Sequence, residues 1–233
     1  MNIKIGIPNR GRLAEVCVQL INMTWNTNLD LHERKMNYFI KKDNMHINVC
    51  LIRSTDIPKM LEIGEIDLGI TGSDYYLEAE SDVVESNNLF LLNGLLCVIS
   101  SKNNANDISN FKSCYSQYNA IANKFYESTT VNVRAIDGAA ETYLELNSCD
   151  CSIDIVTTGE TAIMNKVKVD FVIMPISAHI YINNTFFENR NEICKTIVEN
   201  LSGQPLTGYS FSESVSYKRF CDAKRNMKKI LGL

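Results

Sequence analysis

Residues 3–21 read IKIGIPNRGRLAEVCVQLI, and this stretch contains the unit from which the predicted fold is built. Ile3, Ile5 and Ile7 alternate with other residues, which is typical of a strand. Residues 8–11 then interrupt the strand with proline and glycine. The apolar residues after this break share one helical face: Leu13, Val16, Cys17, Leu20 and Ile21. The stretch therefore predicts a strand, a loop and a helix in that order.

The alternation of strands and short helices continues downstream. Residues 46–51 have strand composition, and Asp56 and Pro58 indicate the first turn of a short helix that ends near Gly64. Residues 66–72 read IDLGITG, a buried strand that runs into a turn. This order of elements is typical of an α/β layered fold and predicts parallel pairing of its strands.

A second series of strands divides the chain into two lobes. Its predicted members are residues 95–100, 119–122, 131–136 and 152–156. A long apolar strand region at 169–182 then returns the chain to the first lobe. We predict a discontinuous lobe I at 1–90 and 171–201, a lobe II at 91–170, and a connector with an amphipathic helix at 202–233.

The composition is that of a mildly acidic globular protein. The 233 residues include 23 Lys and Arg against 27 Asp and Glu, a net charge of −4, and 45% are hydrophobic. This length and composition suffice for a sizeable core. The negative balance argues against a protein that coats nucleic acid. Without a leader pattern or a long apolar run, we expect a cytoplasmic protein with no membrane span.

Cysteine, histidine and the basic tail have structural interpretations. Eight cysteines are scattered without a CxxC pair, which favours buried free thiols over disulfide bridges. The three histidines stand apart from any metal-ligating pattern, so structural or exposed roles are favoured.

In the C-terminal tail, apolar residues share a helix face while lysines and arginines lie elsewhere. We interpret this tail as a helix docked on the body or on a sister subunit.

Residues 153–161 read IDIVTTGET and carry the strongest local chemical signal. A strand with one carboxylate, Asp154, runs into a turn rich in hydroxyls and glycine. Backbone N–H groups at the start of a helix and threonine hydroxyls can hold a phosphate dianion, and Gly159 allows close approach of the backbone. Asp154 is then placed to accept hydrogen bonds from ribose hydroxyls. A simple helix cap would explain the same turn.

Arginines follow two of the predicted strands. The loop at residues 8–12 places Arg10 and Arg12 between the first strand and the first helix. Ligands of open α/β sheets bind beyond the carboxyl ends of strands, and two guanidinium groups there suit a pyrophosphate. A solvated surface pair is the alternative. Arg53 follows a second strand in a similar position, and Asp74 follows a third, where it either lines the site or is structural.

Five segments in this order resemble the ATP phosphoribosyltransferase family in its short form. They are IPNRGRL at 7–13, RSTDIP at 53–58, DLGITGSD at 67–74, GAAE at 138–141 and DIVTTGET at 154–161. The resemblance implies two α/β lobes like those of a type II periplasmic binding protein, with the active site in the cleft between them. It also implies the first reaction of histidine biosynthesis.

In that reaction, N1 of ATP displaces pyrophosphate from C1 of phosphoribosyl pyrophosphate (PRPP), with magnesium carried by the pyrophosphate rather than by protein ligands. The resemblance implies a homodimer, or a hetero-oligomer with a regulatory subunit similar to histidyl-tRNA synthetase. It implies no nucleic-acid or membrane partner.

The site residues carried over by motif form three groups. The 5-phosphate of PRPP would be held by Thr157, Thr158, Gly159, Glu160 and Thr161. The nucleotide and polyphosphate groups would contact Arg10, Gly11, Arg12, Arg53 and Asp74. The residues implied in catalysis are Asp154, Glu141 and Arg12, of which Asp154 and Glu141 address the ribose.

The sequence departs from the family pattern in the second lobe. Leu95 and Leu96 stand where the family usually has an arginine, and Ala122–Tyr126 replaces Ala-Thr-Lys-Phe-Pro. Only about ten residues separate Tyr126 from Ile136, where the family has a helix with basic residues. The alternative function is therefore a non-catalytic or altered-specificity paralogue that binds a nucleotide, sugar phosphate or other small anion in the same cleft.

Overall fold

The computed structural model describes residues 2–33, 35–42, 44–89, 92–102, 107–157, 167–203 and 215–231. The chain divides into two compact units. Unit 1 comprises Met1–Leu92 and Ser177–Ser214, and unit 2 comprises Asn93–Ile176 and Val215–Leu233. The C-terminal helix thus belongs to unit 2.

The described residues form eleven strands and eight α-helices. The strands are β1 (Asn2–Pro8), β2 (Asn37–Lys42), β3 (Met45–Ile52), β4 (Leu68–Gly72), β5 (Val84–Asn88), β6 (Gly94–Ser101), β7 (Ser113–Ser116), β8 (Asn132–Ala135), β9 (Ser152–Val156), β10 (Val167–Ile176) and β11 (Ala178–Ile182). The helices are α1 (Arg12–Trp25), α2 (Ile57–Glu62), α3 (Ser73–Glu78), α4 (Asn119–Phe125), α5 (Ala140–Glu145), α6 (Asn184–Asn189), α7 (Asn191–Ser202) and α8 (Val215–Leu231). No helix within these ranges is long and apolar enough to cross a membrane.

Unit 1 contains a six-stranded sheet in the order β2-β3-β1-β4-β11-β5. The central strand β1 is parallel to β3 and β4, which confirms the predicted parallel pairing at the centre of the sheet. The outer pairs differ from the prediction: β2 is antiparallel to β3, and β11 is antiparallel to both β4 and β5. The sheet is therefore mixed.

The core of unit 1 is formed by the apolar face of β1 and by two helices. Ile3, Ile5 and Ile7 are completely buried, as their alternation predicts. The buried face of α1 is Ala14, Cys17, Val18, Ile21 and Trp25, so the face is rotated slightly from the predicted one. Helix α7 packs beside α1, and Cys194, Ile197, Val198 and Leu201 complete the same core.

Unit 2 contains an antiparallel sheet in the order β10-β6-β9 and a parallel pair of strands, β7 and β8. The predicted strands at 95–100, 131–136 and 152–156 are confirmed as β6, β8 and β9. The strand predicted at 119–122 is wrong, because these residues begin helix α4. Ile121, Ala122 and Phe125 are buried at helical spacing. Helix α8 packs against β10.

The apolar region predicted at 169–182 as one strand consists of two. Ile176 still pairs with Gly94 at the end of the β10–β6 ladder. Ala178 already pairs with Gly72 in the sheet of unit 1. Residues up to Ile176 therefore belong to unit 2, and the chain returns to unit 1 at Ser177 rather than at residue 171.

Candidate functional site

The loops that carry the predicted arginines lie together at one edge of the unit 1 sheet. Strands β1 and β3 are parallel, and Pro8 at the end of β1 pairs with Ile52 at the end of β3. The N–H of Asn9 then donates to the Ile52 carbonyl over 2.8 Å. The loop with Arg10 and the residue Arg53 therefore begin side by side, where parallel α/β sheets bind ligands.

Gly11 shapes the first of these loops. Its φ of 82° lies in the left-handed region that favours glycine. Its carbonyl accepts the N–H of Ala14 over 3.0 Å, so Gly11 starts helix α1. Arg10, Arg12 and Arg53 are all exposed. Their permanently charged guanidinium groups can reach phosphate oxygens in solvent, next to the positive end of the α1 dipole.

The third predicted position at this edge, Asp74, is buried rather than exposed. It lies in the first turn of α3, directly after β4, and is only 3% exposed. Its carboxylate folds back over Gly72 and occupies the space that a Cβ atom there would need. The Thr71 hydroxyl donates to the Ser54 carbonyl over 3.2 Å and connects the end of β4 to the Arg53 loop. Asp74 thus lies at the same end of the sheet as the arginine loops, but its side chain is too buried to present much surface to a ligand.

A buried polar network lies beside Asp74, and no pattern in the sequence predicted it. The N–H of Ser73 donates to the Ser177 carbonyl over 3.0 Å. The Ser177 hydroxyl lies 3.0 Å from His179 Nε2 and 2.9 Å from Asn88 Oδ1. On its other side, His179 Nδ1 lies 2.9 Å from a carboxylate oxygen of Glu85. The sequence favoured structural or exposed roles for the histidines, and His179 has a structural one. The other members of the network, Asn88, Glu85 and Ser177, come from two separate segments of the chain.

In unit 2, Asp154 lies in β9 and is half-buried. Its Oδ1 atom accepts the N–H of Ile155 over 2.7 Å and lies 3.4 Å from Gln117 Nε2. Cys97 is the residue opposite Asp154 in β6. Burial, with a smaller contribution from the Asp154 charge, raises the pKa of the Cys97 thiol to about 11. The Cys97 thiol is therefore protonated at neutral pH.

The predicted phosphate turn begins at the end of β9. Thr157 is exposed there, while Thr158, Gly159, Glu160 and Thr161 lie outside the described residues. A Cβ atom at Gly94 would lie 3.1 Å from Ile155 Cγ2 and 3.3 Å from Thr157 Cγ2. The absence of a side chain at Gly94 therefore leaves room for the strand end that carries Thr157.

Glu141 occupies the first turn of α5 and is half-buried. Helix α5 packs against β6, β7 and β9. Leu144 of this helix is buried with Cys97 and Ile99 of β6, which anchors the helix on the sheet that contains Asp154. The two carboxylates thus stand on neighbouring elements of unit 2.

The arginine loops are suited to anions rather than to a metal ion. Guanidinium groups donate hydrogen bonds and have no lone pair for a cation. In the ranges that the structure describes, no group of three or more His, Cys, Asp or Glu side chains could hold a metal. The arginine loops therefore suit the phosphate groups of a substrate.

The two α/β units define a class of protein with the fold of the type II periplasmic binding proteins. The aliphatic sulphonate binding protein SsuA from Escherichia coli aligns with a TM-score of 0.52 at 12% identity, covering 100% of this chain and 79% of that one. The ATP phosphoribosyl transferase in a HisG:HisZ complex from Thermotoga maritima aligns with a TM-score of 0.73 at 21% identity, covering 86% of this chain and 96% of that one. The predicted fold class is confirmed.

The family follows from the sequence. Residues 53–203 match the HisG family model, described as ATP phosphoribosyltransferase. The ATP phosphoribosyltransferase of Brachyspira hyodysenteriae is 28% identical over 202 residues, which cover 85% of this chain and 98% of the relative. The chain belongs to the ATP phosphoribosyltransferase family.

Proposed function

We propose that the protein transfers the phosphoribosyl group of PRPP to N1 of ATP and releases pyrophosphate, the first step of histidine biosynthesis. Membership of the ATP phosphoribosyltransferase family is the observation that carries this proposal. The two arginine loops that the Asn9 to Ile52 hydrogen bond holds together support it with a suitable anion site. We also propose that the reaction takes place in the cytoplasm.

The chemistry requires positioning and charge more than proton transfer. The bond between C1 of the ribose and a pyrophosphate oxygen breaks, and a bond forms between C1 and N1 of adenine. Positive charge develops on the ribose during this exchange, and the carboxylates of Asp154 and Glu141 would stabilise it. Arg10, Arg12 and Arg53 would bind the polyphosphate groups, which they can contact in a bidentate manner.

Two further groups complete the proposed site. Residues 157–161 would hold the 5-phosphate of PRPP through backbone N–H groups and hydroxyls. Magnesium, when bound to pyrophosphate, supplies charge neutralisation to the leaving group. The described residues supply arginines for that complex and no cage for the metal.

The activity is tested with ATP, PRPP and magnesium, following ultraviolet absorbance as the phosphoribosylated nucleotide forms. The solved Thermotoga relative is a complex of HisG with HisZ, so we propose a regulatory subunit similar to histidyl-tRNA synthetase as a partner here. The assay is therefore run with the chain alone and with such a subunit. A folded protein that forms no product under either condition would refute the proposed activity.

The proposed PRPP site is tested by calorimetry on the Asp154→Asn and Thr161→Ala variants. Each removes one interaction with the sugar phosphate, and loss of a charged hydrogen bond costs about 1.5–3 kcal/mol, roughly a 10- to 100-fold weaker PRPP affinity. Glu188→Gln, an exposed carboxylate of α6, is the matched control and should leave the affinity unchanged. Unchanged affinity in both site variants would place PRPP elsewhere.

Leu95 favours a second candidate function, an altered-specificity or non-catalytic paralogue. It is 40% exposed in β6, at the position where the family usually has an arginine. A thermal-shift screen with PRPP, ATP and other small anions distinguishes the two functions. Stabilisation by PRPP supports the transferase, whereas stabilisation only by other anions supports the paralogue.

If the missing arginine limits nucleotide binding, Leu95→Arg should strengthen nucleotide binding, because the exposed position can accept a longer side chain.

A further inference from the structure

The ends of β7 and β9 lie side by side in unit 2. Cys114 of β7 forms a parallel bridge with Cys151, which directly precedes β9, and the N–H of Tyr115 donates to the Cys151 carbonyl over 3.1 Å. The two strands therefore run in the same direction and end at the same edge of unit 2. Ligands of α/β sheets bind beyond the carboxyl ends of parallel strands. Gln117 is the first residue after β7 at this edge.

A buried hydroxyl fixes the backbone on both sides of Gln117. Ser116 is completely buried, and its Oγ atom donates to the Ile153 carbonyl of β9 over 2.6 Å. The same Oγ atom accepts the N–H of Tyr118 over 3.0 Å. These hydrogen bonds connect the end of β7 to β9 and to the next turn of the chain. The side chain of Gln117 therefore extends from a rigid part of the backbone.

The Gln117 side chain reaches Asp154 on the neighbouring strand. Its Nε2 atom donates to Asp154 Oδ1 over 3.4 Å, and the backbone N–H of Ile155 donates to the same oxygen over 2.7 Å. Two donors from different strands restrict the rotation of the Asp154 carboxylate. Gln117 is exposed and Asp154 is half-buried, so a ligand at this edge can reach the pair.

We propose that Gln117 is a positioning residue, which holds the Asp154 carboxylate in the orientation that accepts hydrogen bonds from the ribose hydroxyls of PRPP. This inference rests on the proposed function, which gives Asp154 its contact with the ribose. A carboxylate that rotates in solvent has to be ordered when the sugar binds, and this ordering weakens the affinity. Gln117 orders the carboxylate before the sugar arrives.

Calorimetry with PRPP on the full chain tests the role of Gln117. Gln117→Leu removes the donor at a similar side-chain size and should weaken PRPP binding roughly 3- to 30-fold, a usual range for coupled neighbours. Because the position is exposed, the variant should keep the wild-type melting temperature. Gln19→Leu, at an exposed glutamine of α1, is the matched control and should leave the PRPP affinity unchanged.

A double-mutant cycle with Asp154→Ala separates positioning from other roles. If Gln117 acts through the Asp154 carboxylate, Gln117→Leu should cause little further loss of PRPP affinity in the Asp154→Ala background. Equal losses in both backgrounds would mean that Gln117 contacts PRPP itself, and would overturn the proposal. A loss of affinity that comes with a lower melting temperature would overturn it too, because it would indicate a structural role.

Failure of this proposal can be distinguished from failure of the proposed function. If the wild-type chain does not bind PRPP, the proposed function fails, and the positioning role fails with it. If the wild-type chain binds PRPP and Asp154→Ala weakens the binding while Gln117→Leu does not, only the positioning role is refuted. Gln117 would then be an ordinary solvated side chain beside a ribose-binding carboxylate.

Discussion

Gly72 stands where β4 turns into α3, and the Asp74 carboxylate occupies the space beside its Cα atom. The φ of Gly72 is −72°, an ordinary value for any residue, so the backbone does not require glycine here. The requirement comes from the buried carboxylate, which would have to move away from any side chain at position 72. The glycine therefore keeps Asp74 in place at the ligand edge of the unit 1 sheet.

Gly72→Ala should lower the free energy of unfolding by about 1–3 kcal/mol, because a displaced buried carboxylate loses its hydrogen-bonding environment. Urea denaturation measures the change. Gly138→Ala is the matched control, since no atom lies within 4 Å of a Cβ placed there. It should be neutral or slightly stabilising, because alanine restricts the unfolded chain. Equal effects of the two substitutions would contradict the role assigned to Asp74.

For single residues, the sequence predicted the place in a strand or loop better than the contacts of the side chain. Pro8 at the end of β1 and Gly11 beyond it located Arg10 and Arg12 correctly at a strand end, because a strand break is a local property. The burial of Asp74 and the pairing of His179 with Glu85 could not be predicted, since each depends on strands that the fold brings together. Binding by the predicted site residues remains a prediction.

Among the elements, α8 is anchored by few residues, and Phe220 is the largest of them. Its side chain is 2% exposed and packs near Phe125 of α4. Helix α8 also contacts β10, so the C-terminal helix is part of the core of unit 2. The C-terminal tail is therefore a helix docked on the body of the protein, which is one of the two arrangements that its apolar spacing predicted.

Phe220→Ala should lower the free energy of unfolding by about 3–5 kcal/mol, the usual cost of removing a buried phenylalanine side chain. Phe39→Ala is the control within the same chain. Phe39 is 82% exposed in β2, and its removal should change the stability by no more than about 0.5 kcal/mol. Thermal and urea denaturation of both variants give the comparison. A small effect at Phe220 would mean that α8 is not anchored by its apolar stripe.

The choice between helix and strand could be predicted where the apolar pattern was long, and the prediction was unreliable where the pattern was short. The 17 residues of α8 display several turns of helical spacing. Residues 119–122 offer one short apolar run, which fits a strand or a helix equally well until its packing partners are known. The boundary at Ser177 was missed for a related reason. Both β10 and β11 are apolar, and only their different partners separate them.

At the scale of the whole molecule, the cysteines are free and mostly buried, as their scattering predicted. All eight are reduced, and Cys50 and Cys221 are the two that keep partial exposure. Burial raises the pKa of the Cys97 and Cys149 thiols to about 11 and of the Cys194 thiol to about 12. Since the thiolate is the reactive form, these groups should be inert near neutral pH.

Ellman's reagent at pH 8 should therefore react rapidly with no more than two thiols of the native chain, those of Cys50 and Cys221. In guanidinium chloride all eight should react, because unfolding exposes every thiol and removes the burial that raises the pKa of Cys97, Cys149 and Cys194. Cys221→Ser should remove one of the two native reactions. Rapid modification of a third thiol in the native protein would show that one of the buried cysteines is accessible.

The overall architecture was predicted in outline, and the pairing of its strands only in part. Alternating elements indicated α/β units, and the second series of strands indicated two of them. Strand direction depends on where the chain returns, which local patterns do not encode. This is why β2, β5 and β11 are antiparallel neighbours in a sheet that the sequence predicted as parallel.

The place of β11 between β4 and β5 also affects how the protein is made. Strand β5 pairs with β11, which the ribosome supplies only after the whole Asn93–Ile176 segment. During synthesis, β4 and β5 emerge with unpaired edges, while β6, β9 and β10 already have one another as partners. The sheet begun first is thus completed last, and until then a chaperone or a neighbouring nascent chain can reach its open edges.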